Sequence, residues 1–143
     1  EALTSHAEAD DWVLVHDAAR PCLRVSDLQY LIDEVIDEDV GGILAAPVWD
    51  TLKVADRHGN VHKTLCRQRV WRAMTPQMFR LGALTQALKA CLESLEEVPD
   101  EASAIERLGK PVKLVRGRDD NLKVTVEADL DRVAAILKNE GRF

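Results

Sequence analysis

At 143 residues and 16.0 kDa the chain has room for one domain or part of one, and its 46% apolar content suffices to close a core. A formal charge of −6 with a pI near 5.2 weighs against a nonspecific nucleic-acid binder, which spreads positive charge over a face, but leaves room for a local arginine–lysine grip on a phosphorylated ligand. The longest apolar stretch, residues 43–49, is far below bilayer length, and the N-terminus has no secretory pattern; Cys22, Cys66 and Cys91, without a CxxC, point to a reducing compartment, the cytoplasm, and no zinc site.

Residues 12–16 lack alternation and predict a strand buried on both faces, the habit of parallel sheets. The strand ends in Asp17-Ala18-Ala19-Arg20-Pro21, and the C-terminal ends of strands are where α/β sheets hold ligands. Ser26 is then a plausible N-cap for a helix to about Glu38, with Leu28, Leu31, Ile32, Val35 and Ile36 inward. Gly41-Gly42 would end that unit before a second inner strand at residues 43–48, so residues 12–48 form a βαβ pattern.

Residues 52–54 and 61–65 predict the two arms of a hairpin around Asp56-Arg57-His58-Gly59-Asn60, polar on both faces and needing something to lie on. Thr75-Pro76-Gln77 reads as a rigid turn before a helix over residues 78–97 whose stripe is Leu84, Leu88, Cys91, Leu92 and Leu95. A short helix over residues 101–108 closes at Gly109, a strand spans residues 112–115, and residues 119–125 are a turn into a strand end. An amphipathic helix over residues 127–138 completes the chain, inward through Leu130, Val133, Ala134 and Leu137.

Asp17 is the first candidate for chemistry. A carboxylate beyond a strand end can ligate Mg²⁺ or accept from a ribose hydroxyl, and equally it can hold neighbouring loop amides. Ala18 and Ala19 let a ligand approach the backbone or let strand pack on helix, and His16 is expected to be structural at the last inner position of its strand. Arg67 and Lys123 are the second cluster: a guanidinium fork plus a mobile ammonium suits a phosphate monoester, with the Thr51 and Thr75 hydroxyls completing the oxygen contacts. Arg67, Arg69 and Arg72 could instead be a solvated face.

His16-Asp17-Ala18-Ala19-Arg20-Pro21, Asp50-Thr51-Leu52-Lys53, Thr75-Pro76-Gln77, Asp100-Glu101-Ala102-Ser103-Ala104 and Asn121-Leu122-Lys123-Val124-Thr125 occur in an order and spacing that resemble the 2-C-methyl-D-erythritol 4-phosphate cytidylyltransferases of non-mevalonate isoprenoid synthesis. The resemblance covers about residues 12–130, roughly the last three-fifths of a usual family member. It implies an α/β, Rossmann-like nucleotidyltransferase sheet that is incomplete and carries a protruding β-arm, residues 49–72, through which two subunits form a homodimer. Residues 1–143 would be the C-terminal part of a single domain.

The same resemblance implies cytidylyl transfer from CTP to 2-C-methyl-D-erythritol 4-phosphate, with release of pyrophosphate. Asp17 and Ala18 then lie on the cytidine and Mg²⁺ side, with Arg20 bracing their loop. Thr51, Arg67, Thr75 and Lys123 match the sugar-phosphate contacts, Arg67 and Lys123 positioning the attacking phosphate. Asp119 is the second acid to watch, Asp100 orders the pocket wall, Glu101 caps or solvates its helix, and the arm's Arg67 and Thr51 reach the partner subunit. Trp49 and Pro99 stand where arginine and threonine are familiar. No glycine-rich nucleotide loop occurs in these residues, so the segment by itself is expected to be inactive. A cytidylyltransferase for another alditol phosphate such as ribitol 5-phosphate, and a non-catalytic α/β dimerisation module, are the competing readings.

Overall fold

The computed structural model describes residues 6–95 and 97–142. Among the described residues, six strands and four α-helices follow in chain order: β1 (Trp12–Val15), α1 (Val25–Val35), β2 (Gly41–Pro47), β3 (Lys53–Ala55), β4 (Val61–Thr64), β5 (Trp71–Arg80), α2 (Leu81–Glu93), α3 (Glu101–Arg107), β6 (Lys113–Arg116) and α4 (Ala128–Asn139). A four-stranded sheet has the order β1-β5-β2-β6, and β3 and β4 form a separate ribbon. Both β1 and β2 are antiparallel to β5, while β2 and β6 are parallel. Thus β1, β2 and β6 run one way, with β5 reversed between the first two.

Alternation along β2 sends Ile43 and Ala45 to one face and Leu44 and Ala46 to the other. The first pair packs with Phe79 beneath α2 and α3, through Leu84, Ala87, Cys91 and Ile105. The second packs with Met74, Met78 and Val115 beneath Leu31 and Val35 of α1. Burial on both faces makes β2 the central strand, and helices cover it on both sides. A smaller cluster of Cys22, Val133 and Leu137 seats α4.

Several expectations are corrected. The strand at residues 12–16 is not buried on both faces: β1 is only half-buried, pairs with β5 alone among the described strands, and leaves Leu14 exposed. Ser26 does not cap α1. Arg24 is the N-cap, and its carbonyl accepts from the Asp27 and Leu28 amides. Gly41-Gly42 does not end a unit but opens β2, because a glycine is the residue that fits against Met78 and Phe79 there.

The expected turn at residues 75–77 and helix start at Met78 give way to the ten-residue β5, in which Met74 and Met78 face α1 while Gln77 and Phe79 face α3. A period of two governs here, and α2 begins only at Leu81. Pro76, buried after a cis peptide bond, sits where the β2 pairing shifts register between Ile43 and Ala45, so its missing N–H falls outside the regular ladder. Residues 121–125 form no strand.

The hairpin agrees with its expectation. The Asp56 carboxylate accepts from the His58 and Asn60 amides, Asp56 donates to the Asn60 carbonyl, and Gly59 takes φ +83°. Those amide bonds hold the Asp56 carboxyl below its ordinary range. All four residues of β4 are exposed, so the ribbon buries little within this chain. Among the described residues, no helix is long and apolar enough to cross a membrane.

Gly41 has φ +148°, and a Cβ there would come within 2.2 Å of the Met78 carbonyl oxygen and 2.5 Å of the Phe79 ring. We therefore expect Gly41→Ala to lower unfolding stability by about 2–4 kcal/mol. Urea denaturation checks this: a variant within about 0.5 kcal/mol of wild type would contradict the register given for β2 and β5.

Candidate functional site

The antiparallel register that sets Val15 against Gln77 brings Thr75 beside the residues just past the end of β1. The Asp17 amide donates to Thr75 Oγ1 at 3.0 Å, and the Asp17 carboxylate closes its own loop by accepting from the Ala19 amide at 3.1 Å. Its other oxygen, Oδ2, meets Lys123 Nζ at 2.7 Å. Lys123 is carried there by the segment before α4, which is tied down when the Val124 amide donates to the Ala19 carbonyl at 2.8 Å. Two segments from opposite ends of the chain are thereby laced together around one carboxylate.

Arg20 and Asn121 complete the lacing. Arg20 Nη1 donates to the Asn121 carbonyl at 2.8 Å, and the Asn121 side-chain amide donates to the Thr75 carbonyl at 2.9 Å. Arg20 therefore braces the loop, as expected. Its burial pulls the guanidinium below its ordinary range, against the opposing pull of Asp17. Asn121 is 2% exposed and was not singled out by sequence, since a buried polar residue betrays itself only through its partners.

Asp17, Arg20, Thr75 and Lys123 line a single cleft of about 440 Å³ together with His16, Gln77, Leu88, Val98 and Asp100. Four sequence-predicted site residues thus converge, and Ala18 stands exposed at the rim turn. His16, expected to be an inner structural residue, is instead exposed in this cleft, with Nδ1 3.0 Å from Thr75 Oγ1 and Nε2 3.2 Å from the Arg20 carbonyl.

The far wall is built by Gln77, a residue whose sequence context shows only a turn signal. Its amide nitrogen donates to Asp100 Oδ2 at 3.0 Å and its carbonyl accepts from the Ala102 amide at 2.9 Å. Asp100 caps α3 by accepting from the Ser103 amide at 2.9 Å, so the cap is Asp100 rather than Glu101. Burial pushes the Asp100 carboxyl up, but its bonds to Ser103 and Gln77 prevail and leave it below its ordinary range.

Thr51 and Arg67 lie elsewhere in the chain. Thr51 is exposed where the chain enters the ribbon; Arg67 is exposed on a 3-10 turn, its guanidinium donating to the Trp49 carbonyl. Neither lines the cleft within one chain. Asp119 is also outside it: its carboxylate accepts from Arg72 Nη2 at 2.6 Å and from the Trp49 indole N–H at 3.4 Å, fastening both feet of the ribbon to the loop before Lys123. Trp49 thus gives one indole donor to Asp119 and one backbone acceptor to Arg67.

No group of three or more histidine, cysteine or acidic side chains is arranged for a metal among the described residues. Asp17 contributes one carboxylate, and both its oxygens already accept from donors. A carboxylate is the kind of oxygen donor that Mg²⁺ takes, but one carboxylate does not make a protein-only metal site.

Comparison with known proteins bears on these residues together. The family model described as IspD, 2-C-methyl-D-erythritol 4-phosphate cytidylyltransferase, matches residues 1–139. A curated protein of that name from Pseudomonas putida is 57% identical over 132 residues, which is 90% of this chain and 56% of the relative. The chain therefore spans a little over half the length of such relatives. A crystal structure of 4-diphosphocytidyl-2C-methyl-D-erythritol synthase superposes with TM-score 0.84 at 44% identity, covering 94% of this chain and 60% of that one. The Francisella tularensis 2-C-methyl-D-erythritol 4-phosphate cytidylyltransferase superposes with TM-score 0.85 at 37% identity, covering 92% and 62%.

The Lys123 ammonium, followed by the Ala19 amide, holds the Asp17 carboxyl below its ordinary range. A lowered carboxyl contributes stability above its unfolded pKa and loses it as pH falls through the folded one. We expect Lys123→Met to move the Asp17 titration upward in carboxyl-detected NMR. Wild-type and variant stabilities should converge once the pH is below the wild-type Asp17 transition. An unmoved Asp17 titration would contradict the ion pair.

Proposed function

The chain belongs to the 2-C-methyl-D-erythritol 4-phosphate cytidylyltransferase family, and from that premise we propose that it forms the sugar-phosphate side of an enzyme that transfers a cytidylyl group from CTP to 2-C-methyl-D-erythritol 4-phosphate. In this reaction a phosphate oxygen of the alditol phosphate attacks the α-phosphorus of CTP in line. The bond from the α-phosphorus to the bridging oxygen breaks, and its electron pair leaves with pyrophosphate. The nucleophile is already an anion near neutral pH, so no carboxylate base is needed. The barrier lies in bringing two repelling phosphates together, which demands fixed positive charge and alignment.

The observation that carries the reading is the convergence of Asp17, Arg20, Thr75 and Lys123 on one cleft. Lys123 Nζ, half-exposed and held at the cleft by Asp17, can transfer its donors to an arriving phosphate. Asp17, once released, faces the nucleotide, where the Ala18 turn leaves the backbone open. Mg²⁺ bound by Asp17 and the triphosphate would offset charge on the α-phosphate and the leaving group. Arg20 and Asn121 keep the loop in place while these exchanges occur.

The exposed ribbon supports a homodimer, in which Arg67 and Thr51 serve the cleft of the partner subunit and complete the grip on the sugar phosphate. The partners are CTP and the alditol phosphate, with no nucleic acid. Cys22, Cys66 and Cys91 are all free, which suits the cytoplasm.

The test uses a chain extended to the full length of the curated relatives, supplied with CTP, Mg²⁺ and either methylerythritol phosphate or ribitol 5-phosphate. Pyrophosphate release should favour the former, and Lys123→Ala should lower kcat/KM by about 10²–10³-fold. Mixing Arg67→Ala subunits with Lys123→Ala subunits should restore activity, because one site of each heterodimer carries neither change. A preference for ribitol 5-phosphate, or unchanged turnover in Lys123→Ala, would overturn the assignment. Failure of the mixed subunits to recover would refute the shared site.

A further inference from the structure

The hydrogen-bond partners of His16 determine what Thr75 can offer a ligand. His16 Nε2 lies 3.2 Å from the Arg20 carbonyl oxygen, which can only accept, so in the neutral imidazole Nε2 carries the proton. Nδ1 is then bare, and its neighbour at 3.0 Å is Thr75 Oγ1. The one hydroxyl proton of Thr75 is consequently committed to His16. One lone pair of the same oxygen is already used by the Asp17 amide at 3.0 Å. What remains toward the cleft is a single lone pair.

We propose that His16 is a positioning residue that fixes the Thr75 hydroxyl as a hydrogen-bond acceptor, so that Thr75 recognises a donor hydroxyl of the alditol chain and not an oxygen of its phosphate. The inference rests on the proposed alditol phosphate reading and deepens it. A phosphate oxygen at this position would set acceptor against acceptor, whereas an alcohol O–H satisfies the remaining lone pair. The chain from the Asp17 amide through Thr75 and His16 to the Arg20 carbonyl then has one donor and one acceptor at every link. Phosphate recognition falls to Lys123 and the arginines, whose groups are donors only. The same argument separates alditols by hydroxyl pattern, because the cleft rejects an analogue with no O–H where Thr75 waits.

The experiment has two arms. In the first, long-range nitrogen–proton NMR reads the protonation of the His16 ring in this chain and in the extended enzyme saturated with methylerythritol phosphate. An Nε2–H ring with bare Nδ1 is expected in both, and an Nδ1–H ring in either would overturn the proposal. In the second arm, kcat/KM of the extended enzyme is compared for methylerythritol phosphate and analogues lacking one hydroxyl each. One analogue should lose about tenfold or more with wild type and with Thr75→Ser, and no more than about threefold with Thr75→Val. His16→Gln, which keeps a donor for the Arg20 carbonyl but no Nδ1 acceptor, should lose the same discrimination, and His16→Asn should regain part of it. A ring of purely structural importance would lower turnover of every analogue alike, and equal losses across the panel would overturn the proposal. Should wild type turn over none of the alditol phosphates while the Nε2–H ring is present, the proposed reaction fails, and the alcohol as Thr75's partner fails with it.

Discussion

Thr75 holds the site together from the middle of β5. Its hydroxyl oxygen takes the Asp17 amide and its carbonyl takes the Asn121 side chain, while Arg20 returns from the first loop to the Asn121 backbone. Three segments far apart in sequence close into a ring of bonds around one threonine. Each neutral bond contributes only about 1 kcal/mol net, yet a buried Asn121 deprived of its partner would cost more than the bond was worth. The ring therefore acts chiefly as a specification of geometry: it sets where Asp17 and Lys123 meet.

That geometry depends on β5 running backward between β1 and β2. A parallel neighbour would bring its own C-terminal end beside the end of β1; the antiparallel β5 brings its mid-strand residues there. Pro76 marks the point at which pairing with β2 shifts, and the residues flanking it divide their work. Thr75 serves the loop after β1, whereas Gln77 reaches across to Asp100 and the start of α3. One short run in the sheet thus supports both walls of the cleft.

Much of the frame was legible. The hairpin turn could be read because Asp56 and Gly59 do their work locally, and α3 because it stops at Gly109; α4 lies where its pattern put it, but only Val133 and Leu137 of its expected stripe are buried, and Leu130 and Ala134 are exposed. The course of β5 was not legible, because Thr75-Pro76-Gln77 carries a turn signal that sheet pairing overrides and the apolar run after it suits a helix equally well. Ser26 looked like a cap, but the distant carboxylates of Glu140 and Asp120 hold the Arg24 side chain across the helix entry. In the site, Asp17, Arg20, Thr75 and Lys123 could be named from their chemistry and motifs. His16, Gln77 and Asn121 act through partners remote in sequence, which no local pattern displays. Asp119 could be named as an acid to watch, but its work is elsewhere: with Trp49 and Arg72 it fastens the ribbon's two feet to the loop that leads to Lys123.

On the proposed function, the Asp17–Lys123 pair is the closed form of a binding site for a phosphorylated alditol. The most direct measurement is a crystal structure of the chain, extended to the length of its curated relatives, with CTP and methylerythritol phosphate bound. The alditol phosphate should lie in the cleft between Thr75 and Lys123, with the Lys123 ammonium moved from Asp17 onto the phosphate. A ligand seated elsewhere, with the Asp17–Lys123 pair still at 2.7 Å, would contradict it.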